Sequence, residues 1–228
     1  MQGQIVINKR AEEILGILRR NHRLLGRTRS TVDPFRTLIV TIISQNTNDR
    51  NTEKAFERLS NDFRIDPETL ADAQTKQIEN SLKVAGLYRN KAKTIKQVSK
   101  IVLEKYHSDL KQVLSKPLEE ARQELMQLPG VGPKTVDVVL LFAGERPTVP
   151  IDTHVNRVSK RLGLAPANAD YEGVRRALQS FYDPQDYLSV HMLLISHGRK
   201  YCTARSPVCN KCPLNELCPS RNLFKKAS

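Results

Sequence analysis

Three sets of residues in this 228-residue chain could do chemistry. The first is Cys202, Cys209, Cys212 and Cys218, which are all of its cysteines, with six, two and five residues between successive members. In a reducing compartment so tight a cluster reads as a metal site before it reads as disulfides. Four thiolates can enclose Zn2+ or an iron–sulfur cluster. A zinc site of this kind commonly uses two Cys-x-x-Cys knuckles, and this chain has one, from Cys209 to Cys212.

The second set lies in Leu128-Pro129-Gly130-Val131-Gly132-Pro133-Lys134-Thr135. A helix ends at Pro129-Gly130, and another opens at Pro133, whose fixed φ and missing N–H suit a first helical position. Gly130 and Gly132 permit positive φ and close backbone approach. Free N–H groups at the start of the second helix make an anion site suited to a DNA phosphate. Val131 is the anchor that plugs the groove between the two helices. A bare Gly-x-Gly would be an ordinary packing corner; its setting in a strongly basic helical chain favours a phosphate-binding hairpin. Lys134 stands in the first turn, where the helix dipole disfavours the ammonium form and readies the amine as a nucleophile. The competing role for Lys134 is a phosphate contact without chemistry.

The third candidate is Asp152, 18 positions after Lys134, in Val149-Pro150-Ile151-Asp152-Thr153-His154. Capping the helix that starts at residue 153 is its default role. Capping uses one oxygen, so the same carboxylate could also stabilise a cationic sugar and move protons to and from Lys134. His154 has no second ligand at metal spacing and is read as structural.

The elements that must position these residues are helices. Asp33-Pro34 and Asp66-Pro67 are cap-and-proline helix starts. Phe35, Leu38, Ile39, Ile42 and Ile43 then follow helical spacing, dense enough for a buried core helix. Further helices are predicted over about 48–60, 76–84, 89–106, 118–127, 133–142, 153–162, 170–182 and 184–200, with stops at Gly86 and Gly163. No strand alternation and no solenoid repeat is evident, so the fold class is all-α.

Composition bounds the partners. With 39% hydrophobic and 27% charged residues the chain is globular rather than disordered. Lys and Arg number 37 against 24 Asp and Glu, a formal charge of +13, and the anionic partner this favours is nucleic acid. No apolar run reaches the ~18 residues of a transmembrane helix. The N-terminal MQGQIVINKR is too polar for a secretory signal. A cytoplasmic protein is expected, nuclear if the cell has a nucleus.

Taken in order, the hairpin, the Asp152-Thr153-His154 segment and the cysteine loop resemble the endonuclease III family of helix-hairpin-helix DNA glycosylases, over about residues 30–218. The resemblance resolves the cysteines as a [4Fe–4S] loop, 202–218. It implies two all-α lobes with duplex DNA bound across the cleft between them. One is a six-helix bundle, 32–145, with the helix-hairpin-helix at about 119–143. The other joins 1–31 to 146–228 and holds the cluster. The target nucleotide is flipped from the duplex, Lys134 attacks C1′ and expels the base, and β-elimination cuts the strand with Asp152 as the carboxylate partner. Two side chains fill the gap. Leu87, in Ala85-Gly86-Leu87-Tyr88, matches the wedge; the alternative is a hydrophobic contact closing the helix end at Gly86. Asn46 stands where bacterial members carry the longer Gln, and neighbouring Gln45 is the substitute. Gly130, Val131, Gly132 and Thr135 complete the DNA-contact set.

The resemblance thus implies a bifunctional glycosylase and apurinic/apyrimidinic (AP) lyase, acting as a monomer on oxidised pyrimidines or AP sites in double-stranded DNA. Two other readings compete. Mismatch glycosylases for adenine, thymine or uracil share the fold but usually lack a lysine at position 134. A non-catalytic iron–sulfur DNA-binding module would share charge, hairpin and cluster, but has no use for the Lys134 and Asp152 pair.

Overall fold

The computed structural model describes residues 2–22 and 32–223, with side chains from residue 9 onward. Twelve α-helices follow one another among these residues, and no strand occurs. They are α1 (Gln2–Asn21), α2 (Pro34–Ser44), α3 (Asp49–Asp62), α4 (Pro67–Asp72), α5 (Thr75–Leu82), α6 (Tyr88–Tyr106), α7 (Lys111–Leu114), α8 (Leu118–Leu125), α9 (Pro133–Phe142), α10 (Thr153–Arg161), α11 (Tyr171–Phe181) and α12 (Tyr187–Lys200). The all-α expectation holds. None of these helices is long and apolar enough to cross a membrane.

Local chemistry explains most of the boundaries. Asp33, Asn48, Asp66, Asp152 and Asp170 each accept a hydrogen bond from the backbone N–H three residues on, at 2.7–2.9 Å. Each satisfies one of the N–H groups a helix start leaves without an intrahelical partner. Pro34, Pro67 and Pro133 open α2, α4 and α9. Gly86 and Gly163 take φ of 66° and 68° beyond their helices, a conformation that costs glycine little.

Three departures from the predicted elements have physical causes. The segment expected over 76–84 splits into α5 and a 3-10 turn, Lys83–Ala85, as the chain tightens into Gly86. The segment expected from 184 begins as a 3-10 turn, Pro184–Asp186, before α12. The single turn α7 had no predicted counterpart, since four residues are too few to show a period.

The chain divides into two compact units, Met1–Thr28 with Pro147–Ser228, and Arg29–Arg146. The continuous unit is built on Phe35, Leu38, Ile39, Ile42 and Ile43 of α2, which pack with Ile95, Val98 and Val102 of α6 and Val136, Val139 and Leu140 of α9. In the discontinuous unit Ile14 and Leu18 of α1, Val155 and Val158 of α10, Leu178 of α11 and Leu193 of α12 are fully buried.

Candidate active site and iron–sulfur centre

The hairpin belongs to the continuous unit. Between α8 and α9 the chain turns through Gly130 at φ 69°. A Cβ at Gly130 would lie 2.8 Å from Cγ2 of Thr94, so both conformation and space require glycine there. Gly132 differs: its backbone is extended and a Cβ would meet nothing within 4 Å. Of the two glycines, only Gly130 therefore uses positive φ, and Gly132 leaves an open approach to the start of α9. No side chain caps that start. Val131 is 7% exposed and joins the core together with Leu128, as expected of an anchor. Thr135 is buried and Lys134, next to it in the first turn, is half-buried.

Gln45 is tied to this turn. Its side-chain Nε2 donates to the Gly130 carbonyl at 3.0 Å and approaches Oγ1 of Thr135 at 3.4 Å. A side chain so engaged braces the hairpin, and taking the place of Asn46 against DNA would require it to leave the Gly130 carbonyl. Asn46 itself is exposed, with φ 53°. Leu87 is also left-handed, at φ 47° and ψ 26°, and 56% exposed. An apolar contact closing the helix end would have buried it. Instead a leucine stands in solvent in a backbone conformation that costs about 1–2 kcal/mol, a local cost of the kind that collects at functional sites.

An ion pair that the sequence reading missed locks α8 to α9. Arg122 donates from Nε and Nη2 to Oδ1 and Oδ2 of Asp137, at 2.9 and 3.2 Å. The two side chains are 4% and 0% exposed, and Glu119 also reaches Arg122 at 2.9 Å. Asp137→Ala removes the carboxylate that accepts two hydrogen bonds from the buried guanidinium of Arg122. The expected cost is about 3 kcal/mol, at the lower end for breaking a buried pair, read as a fall in the unfolding free energy in urea. A change below about 1 kcal/mol, the worth of a surface pair, would show that the pair does not hold the hairpin.

Asp152 and the cysteines belong to the discontinuous unit. Oδ1 of Asp152 caps α10 through the Val155 N–H at 2.7 Å. His154 lies under α12, where a Cβ on Gly198 would come within 3.0 Å of the His154 Cβ. Its Nδ1 meets Nη2 of Arg157 at 3.0 Å, and burial lowers its pKa. These contacts are those of a packed structural residue.

All four cysteines are free and half-buried, and their side chains line one cavity together with Arg161, His197 and Tyr201. Among the described residues no three potential ligands converge on a single ion. A cavity lined by four cysteines can hold a multi-atom cluster. Burial, with the other three thiols adding, pushes the Cys212 thiol up to about 11, and burial raises Cys218 as well. Four thiolates drawn together need a cationic core between them. The surroundings favour an anionic group: Arg161 reaches the Cys202 Sγ at 3.4 Å and the Thr203 and Ala204 carbonyls at 2.7 and 2.9 Å. Arg157 holds the Cys202 carbonyl at 2.9 Å, and Arg10 holds those of Leu162 and Leu217. His197, 1% exposed, approaches the Cys212 Sγ at 3.5 Å through Nε2 and His22 at 3.4 Å through Nδ1. Lys200, Arg205 and Lys211, the basic residues in and beside the loop, are exposed.

Fold and site together define a helix-hairpin-helix repair protein with an iron–sulfur loop. Residues 39–184 match the HhH-GPD superfamily of base excision DNA repair proteins, and residues 202–218 match the iron–sulfur binding domain of endonuclease III. The endonuclease III of Thermotoga maritima is 35% identical over 93% of this chain and 92% of its own. A trapped endonuclease III–DNA covalent intermediate superposes with a TM-score of 0.80, at 31% identity, over 96% of this chain and 97% of the other. A thermostable thymine-DNA glycosylase also reaches a TM-score of 0.80, at 21% identity, over 95% and 98%, so the fold alone does not separate the two activities. The chain belongs to the endonuclease III family. It is a base excision repair enzyme, a DNA glycosylase and AP lyase, with a [4Fe–4S] cofactor and the family's iron–sulfur binding domain at residues 202–218.

Proposed function

We propose that Lys134 is the nucleophile and Asp152 its carboxylate partner, acting on oxidised pyrimidines in duplex DNA. Lys134 attacks C1′ of the deoxyribose, and the base leaves with the bonding electron pair and takes up a proton. The C1′–O4′ bond then opens, O4′ taking the proton that the attacking nitrogen gives up, and the Schiff base so formed acidifies the neighbouring C2′ proton, whose loss expels the 3′ phosphate by β-elimination. Asp152 stabilises the positive charge that develops on the sugar and relays protons to and from Lys134. The observation that carries this reading is the position of Lys134, two residues after the open Gly132 in the first turn of a helix whose start no side chain caps, in a hairpin held by Gln45, Val131 and the Arg122–Asp137 pair.

Around that chemistry, Gly130, Gly132 and Thr135 present backbone N–H groups to a DNA phosphate, and Val131, whose own N–H bonds to the Leu128 carbonyl at 3.2 Å, anchors the DNA-contacting turn. Asn46 and Leu87 fill the gap left by the flipped nucleotide, and the exposure of Leu87 supports this over a packing role. Lys200, Arg205 and Lys211 give the cluster loop phosphate contacts. The functional division follows 32–145 for the hairpin bundle, and 1–31 with 146–228 for the cluster-bearing part. The enzyme works as a cytoplasmic monomer, free of membrane.

Asp152→Asn tests the assignment. It keeps the cap acceptor and removes the charge. Single-turnover release of thymine glycol from duplex DNA should fall by about 10²–10⁴-fold, while affinity for the same DNA changes little. An unaltered release rate would reduce Asp152 to a helix cap. Base release without strand cleavage in the wild type would indicate a monofunctional glycosylase.

A further inference from the structure

Lys91 carries a feature that the chemistry above does not use. On α6 it continues the inward stripe of Ile95, Val98 and Val102, and it is 4% exposed. A buried ammonium is costly unless hydrogen-bonded, and burial lowers its pKa. Its Nζ donates to two main-chain carbonyls, those of Ile43 at 2.8 Å and Ala85 at 2.9 Å. Ile43 is in the last turn of α2, where carbonyls lack intrahelical partners. Ala85 ends the 3-10 turn before Gly86. A cation suits both positions, because helix C-termini carry partial negative charge.

The two carbonyls sit just ahead of two unusual residues. Asn46 follows Ile43 by three positions and Leu87 follows Ala85 by two, and each is exposed and left-handed. One buried cation therefore ties together the two segments that end in these side chains. We propose that Lys91 is a positioning residue for duplex insertion: by clamping the end of α2 to the 3-10 turn, it holds Asn46 and Leu87 at a set separation, ready to enter the base stack together. The proposal rests on the gap-filling role given above to Asn46 and Leu87. Preorganisation of this kind matters when a nucleotide must be held out of paired DNA, and loses its value when the site is already unpaired.

The test uses the cluster-loaded enzyme and an abasic site placed either in fully paired duplex or in a short unpaired bubble between the same duplex arms. Single-turnover strand cleavage is measured on both, with 2-aminopurine opposite the site reporting displacement of the partner base. Lys91→Met should lower the paired-duplex rate by about 10- to 100-fold, blunt the 2-aminopurine signal and leave the bubble rate unchanged. Lys91→Arg, whose guanidinium can reach both carbonyls, should restore most of the paired-duplex rate. If Lys91→Met does not fold, Lys91→Gln, whose shorter amide cannot hold both carbonyls, is read on the same ratio. Equal loss on both substrates, or no loss on either, overturns the proposal. Leu87→Ala separates the two layers of argument. If it spares the paired-duplex rate, the gap-filling reading itself is wrong; if it lowers that rate while Lys91→Met does not, only the clamp is wrong.

Discussion

Lys134→Ala is expected to abolish the covalent complex that borohydride traps between the wild-type enzyme and duplex DNA carrying thymine glycol. Removing a nucleophile that forms a covalent intermediate eliminates the route rather than slowing it, and losses of at least about 10³-fold are ordinary for such groups. The alanine variant alone would not separate chemistry from charge, since a lysine beside a helix N-terminus could equally hold a phosphate. Lys134→Arg makes the separation. Its guanidinium keeps a permanent positive charge and binds phosphate at least as well, but it does not deprotonate near neutral pH and cannot form the Schiff base. Both variants should therefore be inactive in trapping, while the arginine variant keeps its affinity for DNA. Trapping by Lys134→Arg would sink the assignment and send the search for the amine elsewhere.

The second large effect is expected at the cluster. Between Cys202 and Cys218 the chain has one 3-10 turn, Cys209–Lys211, and one fully buried apolar side chain, Leu214. So little apolar burial cannot by itself order a loop of this length. The arginine contacts from Arg10, Arg157 and Arg161 act on the backbone of an already folded loop. Ligation must supply the rest, and binding energy at a structural metal site is folding energy. Cys212→Ala is expected to lose the iron and the visible absorption of the iron–sulfur chromophore, and to open residues 202–218 to proteolysis. The cost should exceed the 0.5–3 kcal/mol usual for a point substitution. The core of the continuous unit, which shares no ligand with the loop, should keep its helical signal. A variant without iron that still protects the loop from protease would show that the loop folds on its own contacts.

Much of the architecture was legible before any coordinates. Asp33, Asp66 and Asp152 announce helix starts because a cap bonds only three residues away, and Pro34, Pro67 and Pro133 act through their own φ. The hairpin was readable because Gly130 has to be glycine, and the cysteine loop because its four cysteines all fall between residues 202 and 218. Such information is local, and a chain carries it whatever its surroundings.

What stayed hidden depends on residues distant along the chain. Lys91 bonds to a carbonyl 48 residues earlier. It stands on the apolar stripe of α6, and that lysine out of place was a signal, but only tertiary packing names its acceptors. Arg122 and Asp137 each interrupt a buried face, and their pairing across the hairpin appears only once α8 and α9 are folded together. That Gln45 bonds to the Gly130 carbonyl, and that Leu87, read as a wedge with a helix-end contact as the alternative, stands exposed, appear only in the folded chain. The sequence by itself determined the helices, the cysteine loop and the place of Lys134 in the first turn after the hairpin, because each rests on chemistry within a few residues. Only the tertiary structure decided which charges are buried and which apolar side chain is exposed, because burial is a property of what the rest of the chain covers.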